Sequence, residues 1–194
     1  MHPFPFYLQL GFQHISNLAG YDHILFLIAL CAVYRIEQWK KILILVTAFT
    51  IGHSVTLVLA SFSDLTLPTH IIKFLIPTTI FLTAIHNVIS HQSTERSSKM
   101  GRNYAMALFF GLIHGMDFSN YFRALLMRDS SIVTPLLGFN IGIELGQLLV
   151  VFVIVGIAFL FLNVIKVKHR EWNLFISGAA AGLSLMSMLE NKFW

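Results

Sequence analysis

The stretch ILILVTAFTIGHSVTLVLASF, residues 42–62, is long and apolar enough to cross a membrane as one helix, yet it carries a histidine near its centre. About 20 apolar residues span the roughly 30 Å of bilayer hydrocarbon. The rest of the chain is similar, with 56% apolar and 11% charged residues among 194 and a mean hydropathy of +0.74. This composition lies outside the range of soluble domains, so the sequence predicts an all-α, polytopic membrane helix bundle.

Apolar runs predict about six transmembrane helices in a single integral membrane domain over residues 1–194. The predicted spans are Asp22–Ile36, Ile42–Phe62, Ile71–Ser90, Tyr104–Phe118, Leu136–Ile165 and Trp172–Leu189. Residues 1–20 lack the basic start of a signal peptide, and Pro3 and Pro5 disfavour a helix at the very start. We expect these residues to form an interfacial or partly inserted N-terminal segment.

Lysine and arginine residues gather between spans one and two, three and four, and five and six. Because cytoplasmic loops carry an excess of these residues, the three loops are predicted to be cytoplasmic and both termini non-cytoplasmic. The polar segment over residues 91–103 is then a cytoplasmic loop. Short basic clusters between apolar runs are typical of membrane proteins, so the net charge of +4 does not indicate a nucleic-acid partner.

Five ionisable side chains from four predicted spans fall at similar depth in the bilayer: Asp22, His23, His53, His114 and Glu144. Such groups are costly in hydrocarbon unless they are paired, hydrated or bound to metal. Imidazole nitrogen and carboxylate oxygen are ligands for first-row divalent metals, and Cys31 is the only cysteine. The pattern predicts an intramembrane site for a divalent ion such as nickel, cobalt or zinc.

Other polar residues lie one helical turn or less from these five and are expected to support them. They are Ser54, Asp117, Asn140 and Gln147. Glycines flank the same positions, and small residues let membrane helices approach closely.

Two interpretations without a metal stay open. Asp22 is also suited to cap the first span, since a carboxylate at a helix start accepts backbone N–H bonds. A hydrogen-bonded network between helices would account for all five groups. The GAAAG run, residues 178–182, is most simply a helix-packing face, either within the chain or between the protomers of a homo-oligomer.

Several separated segments resemble the HupE/UreJ family of bacterial membrane proteins: GFQHISNLAGYDHILFLIAL (11–30), TAFTIGHSVTLVLA (47–60), FGLIHGMDF (110–118) and GFNIGIELGQL (138–148). The resemblance covers nearly the whole chain. It implies a multi-pass protein of the bacterial cytoplasmic membrane and a nickel or cobalt permease.

The family's signature of a histidine followed, after a spacer, by Asp-His corresponds here to His14, Asp22 and His23. Its later motif corresponds in part to His114, Gly115 and Glu144. The spacer after His14 is longer than in the nickel-linked members, which indicates a divergent branch. The resemblance thus implies that His14 belongs to the site or to its entry.

Two short segments also match each other. FTIGHS, residues 49–54, and FNIGIE, residues 139–144, share Phe, Ile and Gly and lie in predicted spans of opposite direction. This is the pattern of an inverted repeat, an architecture common in secondary transporters.

The residues and the resemblance together favour a permease in which the cluster replaces the hydration shell of a divalent cation and protonation helps to release it. The alternative is an enzyme. In a membrane zinc hydrolase the same cluster would hold Zn²⁺, and Glu144 or Asp22 would act as general base on a bound water.

Overall fold

The computed structural model describes residues 4–62, 68–90, 100–126 and 132–192, and within these ranges the chain is helical with no strand. The described residues form seven α-helices: α1 (Phe4–Ser16), α2 (Asp22–Cys31), α3 (Trp39–Phe62), α4 (Thr69–Ser90), α5 (Met100–Leu126), α6 (Val133–Phe159) and α7 (His169–Glu190). Short 3₁₀ turns occupy Leu18–Gly20 and Ile36–Gln38, and a π-helical turn, Leu160–Val164, extends α6.

Four helical segments of the described residues are long and apolar enough to cross a membrane: Ile36–Phe62, Thr69–Ile89, Val133–Val164 and His169–Glu190. The predicted all-α, membrane-capable class is therefore confirmed. The number of six spans and the orientation of the termini remain predictions. Helix α5 starts at Met100, so the predicted loop over 91–103 is wrong for its last residues, and residues 91–99 lie outside the described ranges.

The first predicted span needs correction, because α2 ends at Cys31 instead of Ile36. Ten residues of α-helix extend about 15 Å, roughly half the hydrocarbon thickness. Helix α1 precedes it, with Pro5 in the first turn, where a missing N–H is tolerated. Residues 1–20 were predicted to be interfacial or partly inserted; Phe4–Ser16 form α1, which packs against α6 along its length, and their depth in the membrane stays a prediction.

Helices α1 and α2 follow one another along the same neighbour. Helix α1 contacts α6 at Gly138, Gly142 and Gly146. The end of α2 shares a pocket of about 130 Å³ with Ile154 and Ala158, nearer the end of α6. The two short helices thus form one interrupted segment parallel to α6, broken between Ser16 and Asp22.

Close backbone contact at glycine makes α1–α6 and α3–α5 tightly packed pairs. A Cβ on Gly142 would collide with the carbonyl oxygen of Leu8, and one on Gly52 with that of Leu108. In each pair the contacting residue numbers rise together, so both pairs are parallel. Only glycine allows this approach, which is why small residues mark interfaces between membrane helices.

The two pairs are equivalent. Gly11 meets the carbonyl of Phe139 and the amide of Ile143, while Gly111 meets those of Phe49 and His53. In these contacts, adding 100 to the number of an α1 residue gives the equivalent residue of α5. Subtracting 90 from the number of an α6 residue gives the equivalent residue of α3. A pseudo-two-fold operation therefore exchanges α1 with α5 and α6 with α3.

Side-chain hydrogen bonds between α3 and α6 fix the relative direction of the halves. Ser54 donates to Oδ1 of Asn140 at 2.6 Å, and Thr50 donates to Oε2 of Glu144 at 2.6 Å. The two contacts are equivalent, because Ser54 corresponds to Glu144 and Thr50 to Asn140 under the same offset of 90. Residue numbers rise along α3 while those of the contacting residues fall along α6, so the two helices are antiparallel. The halves α1–α4 and α5–α7 are therefore inverted repeats. The match between FTIGHS and FNIGIE predicted this relation.

Helices α4 and α7 pack against each other and complete the symmetry. Buried positions in the two helices are numbered 100 apart: Ile72 and Trp172, Ile80 and Ala180, Ala84 and Ser184, Asn87 and Ser187. Of the GAAAG run, Ala180 and Ala181 are buried, but no described atom lies within 4 Å of where a Cβ would stand on Gly178 or Gly182. Packing of these two glycines against another protomer stays a prediction.

Candidate functional site

Four histidine rings meet in the middle of the bundle, each from a different helix. His14 lies near the end of α1, His23 at the start of α2, His53 within α3 and His114 within α5. The ring centroids of His14 and His23 are 4.8 Å apart, those of His23 and His114 are 5.1 Å apart, and those of His14 and His53 are 5.6 Å apart. The interruption between α1 and α2 brings His14 and His23 together.

The polar atoms of this histidine cluster are buried. His53 and His114 are fully buried and His23 is 6% exposed. Among the described atoms, no hydrogen-bond partner reaches Nε2 of His14, Nε2 of His23, either ring nitrogen of His53, or Nδ1 of His114. Buried polar atoms are nearly always paired, so five unpaired nitrogens in one cluster indicate a place for a ligand that accepts imidazole.

Aromatic rings surround the cluster. Phe118 contacts the ring of His14 at 4.3 Å between centroids, and Phe49 contacts that of His114 at 5.1 Å. Phe118 in turn stacks on Phe139 at 4.8 Å. This apolar shell lowers the local dielectric, which strengthens any interaction between the cluster and a charged ligand.

One nitrogen of His114 does have a partner. Its Nε2 lies 3.1 Å from the hydroxyl oxygen of Thr79 in α4. The same hydroxyl lies 2.7 Å from the carbonyl oxygen of Ile76. Helix α4 thus contributes to the site through a residue that the sequence analysis missed. The signal was weak, since Thr79 is a threonine in an apolar helix.

Two carboxylates accompany the cluster. Asp22 immediately precedes His23, and Asp117 lies one turn after His114 in α5. The two interact electrostatically with each other, and Asp117 also interacts with Lys73 of α4. Asp22 is half-buried, whereas Asp117 and Lys73 are exposed. Tyr21 precedes α2 as its N-cap residue, without a side-chain capping bond, and Asp22 lies in the first turn. A carboxylate there is favoured by the helix dipole, so the alternative without a metal stays open for Asp22.

Glu144 lies on the seam between α3 and α6. Its two oxygens accept hydrogen bonds from Thr47 at 2.8 Å and Thr50 at 2.6 Å. Gln147 shares this seam, with Oε1 lying 2.6 Å from the hydroxyl of Thr50. The structure therefore places Glu144, Gln147, Ser54 and Asn140 in an interhelical network of the kind considered from the sequence. Direct ligation by Glu144 stays a prediction.

The sequence thus identified His23, His53 and His114 as neighbours, and the family resemblance supplied His14. His14 and His114 share a local signal, because each follows a packing glycine by three residues, Gly11 and Gly111. As the side chains stand, no three His, Cys, Asp or Glu residues of the described ranges are arranged to hold one ion.

Comparison with known proteins identifies a family. No curated protein and no solved structure matches the chain. A family model described as HupE / UreJ protein matches residues 1–191. The match spans nearly the whole chain, including all seven helices, and the chain therefore belongs to the HupE/UreJ family.

Proposed function

We propose that the protein is a permease for a divalent transition-metal ion of the nickel or cobalt class, and that the histidine cluster is its transient binding site. The observation that carries this proposal is the meeting of four imidazoles, three of them buried and that of His14 partly buried, with five buried nitrogens that lack a partner among the described atoms. Neutral imidazole is a preferred ligand of nickel, cobalt and zinc. The family's association with nickel and cobalt transport supports the same cargo.

The spacing of the rings suits coordination. Two imidazoles bound to one tetrahedral ion at the usual metal–nitrogen distance have centroids roughly 5 Å apart. Four of the six ring pairs in the cluster have centroid separations between 4.8 and 6.0 Å. Binding then requires rotation of the rings to turn their nitrogens toward a common point. A site that must reorganise to bind holds its ion less tightly, which suits release.

The position of the cluster favours transport over catalysis. His14 and His114 are related by the pseudo-two-fold operation, so the cluster lies between the inverted repeats. Secondary transporters built from inverted repeats bind their substrates there, commonly beside an interrupted helix. The break between α1 and α2 occupies the equivalent position here.

Asp22 and Asp117 provide an entry. Their carboxylates interact with each other next to His23 and His114, and Asp117 is exposed. Paired carboxylates attract a hydrated divalent cation, which then exchanges water for imidazole in the cluster. Under the positive-inside prediction this end of the bundle faces out of the cytoplasm in a bacterial cytoplasmic membrane.

The hydrolase alternative has no support from the described residues or the comparisons. It requires a carboxylate next to a bound metal as general base. Of the two carboxylates considered for that role, Glu144 accepts hydrogen bonds from Thr47 and Thr50. Asp22 lies beside His23 and serves in this proposal to admit the cation.

Uptake of cobalt or nickel into proteoliposomes tests the proposal. Wild-type protein should import the ion down its gradient, and His53→Gln and His114→Gln should each reduce the initial rate at least tenfold because each removes an imidazole ligand. His86→Gln, a histidine substitution outside the cluster, is the matched control and should retain wild-type uptake. Zinc that stays bound through purification, without any uptake, would support a metalloenzyme instead. Equal uptake by all four proteins would refute the cluster as the transport site.

A further inference from the structure

The contacts of Thr79 determine which nitrogen of His114 carries the proton. The Thr79 hydroxyl has one hydrogen. Its oxygen lies 2.7 Å from the carbonyl of Ile76 and 3.1 Å from Nε2 of His114. A carbonyl oxygen can only accept, so the shorter contact requires that Thr79 donate to Ile76.

The contact with His114 must then run the other way. If Thr79 donated to the imidazole, two oxygen atoms without a hydrogen between them would face each other at 2.7 Å, a repulsive arrangement. The consistent assignment has the Nε2–H of His114 donating to Thr79. Neutral imidazole carries one ring proton, so Nδ1 of His114 is then unprotonated.

Nδ1 is also the nitrogen of His114 that is buried without a partner. An unprotonated nitrogen has an available lone pair, which is what a metal ion requires. Histidines that bind metals typically donate their other N–H to a fixed acceptor, which sets the tautomer and the ring orientation. Thr79 satisfies this description, and its own hydrogen is already used by Ile76.

We propose that Thr79 is a positioning residue that holds His114 in the Nε2–H tautomer and thereby presents Nδ1 as the ligand for the transported cation. This inference rests on the proposed function for the identity of the ligand, but the tautomer itself is independent of it. Helix α4, which contributes no histidine to the cluster, would then control the cluster through one hydroxyl.

The matched variants are available within α4. Thr79→Val removes the hydroxyl and keeps the shape, and Thr79→Ser keeps the hydroxyl. Thr83→Val is the control, because Thr83 is also buried and its hydroxyl donates to the carbonyl of Thr79, one turn along the same helix. Thermal unfolding of each variant in detergent establishes that the fold is retained.

The first measurement uses metal-free protein with ¹⁵N-labelled histidine. NMR of the imidazole nitrogens distinguishes the tautomers, and His114→Gln identifies the signal of His114. We expect Nε2–H in the wild type, Thr79→Ser and Thr83→Val, and loss of this preference in Thr79→Val. A wild-type Nδ1–H tautomer, or an unchanged spectrum in Thr79→Val, would overturn the proposal.

The second measurement is cobalt(II) binding, followed by the visible absorption of the bound ion. Thr79→Val should bind cobalt about 10–100-fold more weakly, as is typical when the acceptor behind a ligand is lost, and Thr79→Ser should restore most of the affinity. Wild-type affinity in Thr79→Val would contradict a role in binding. Absence of cobalt binding by the wild type would instead refute the proposed function, while the NMR result would still decide the tautomer.

Discussion

At the scale of single residues, glycine decides whether the helix pairs can form. Gly52 and Gly142 occupy equivalent positions, each against the backbone of the neighbouring helix. No residue other than glycine leaves room for this contact. The histidine cluster depends on it, because His53 directly follows Gly52 and contacts Gly111 and Gly115 through its backbone.

We therefore expect Gly52→Ala to destabilise the protein by about 1–3 kcal/mol or more, since α3 and α5 must separate to admit a methyl group. Gly142→Ala should behave alike. Gly156→Ala is the control because its added Cβ meets open space, and alanine favours a helix over glycine by about 1 kcal/mol. Thermal unfolding in detergent measures all three. A wild-type melting temperature for Gly52→Ala would contradict the close pairing.

At the scale of elements, α2 is held by a side chain from another helix. The last carbonyls of a helix lack intrahelical partners. In α2 the Ala29 carbonyl accepts a hydrogen bond from Nδ2 of Asn87 at 2.6 Å. Asn87 is further linked to α7, since its own carbonyl accepts a bond from Asn173 at 3.1 Å. This buried network fixes the short helix that carries His23.

Asn87→Ala should destabilise the protein by about 1–3 kcal/mol, because it leaves the buried carbonyl of Ala29 without its donor. Hydrogen exchange should rise over residues 22–31 and little over residues 169–190. Ser184→Ala is the control, since Ser184 bonds only carbonyls of its own helix, those of Ala180 and Ala181. Unchanged exchange in α2 would show that other contacts suffice to hold it.

The sequence predicted the long helices because about 20 consecutive apolar residues in a bilayer can satisfy their backbone hydrogen bonds only as a helix. It failed at the end of α2, which lies at Cys31 instead of Ile36, and it did not identify α1 as a packed helix. The break between them has a signal, because Ser16, Gly20 and Asp22 are turn and cap residues, and the first span was predicted to begin at Asp22.

The depth of His53 and His114 was predictable from their positions along each helix. Whether their side chains enter one cluster depends on how each helix is rotated about its own axis, and the packing glycines determine that rotation.

The same limit explains Glu144. Its depth agrees with that of the histidines, so counting residues along the spans groups it with them. Helix rotation instead places it against Thr47 and Thr50. Thr79 was missed for a different reason, because a threonine that supports a ligand does not differ in sequence from one that bonds its own helix, such as Thr78.

At the scale of the whole molecule, the pseudo-two-fold relation predicts matched behaviour at distant sequence positions. After Cys31→Ser removes the native thiol, the pair Ser54→Cys with Asn140→Cys and the pair Thr50→Cys with Glu144→Cys occupy equivalent contacts. Both pairs should cross-link through a short thiol reagent at comparable rates, as a mobility shift after proteolysis between α3 and α6 would reveal. Cross-linking at only one pair would contradict the symmetry.

The pairing of α1 with α6 also has a consequence for how the chain assembles during synthesis. Helix α1 leaves the ribosome well before α6, against which it packs in parallel, so the surface of α1 that contacts α6 stays unpaired until α6 has been made. The α3–α5 and α4–α7 pairs likewise join the two halves. Neither half can bury these interfaces alone, so the core is completed only when α6 and α7 are inserted, and a nascent chain that stops before α6 leaves the glycine-contacting face of α1 unpaired.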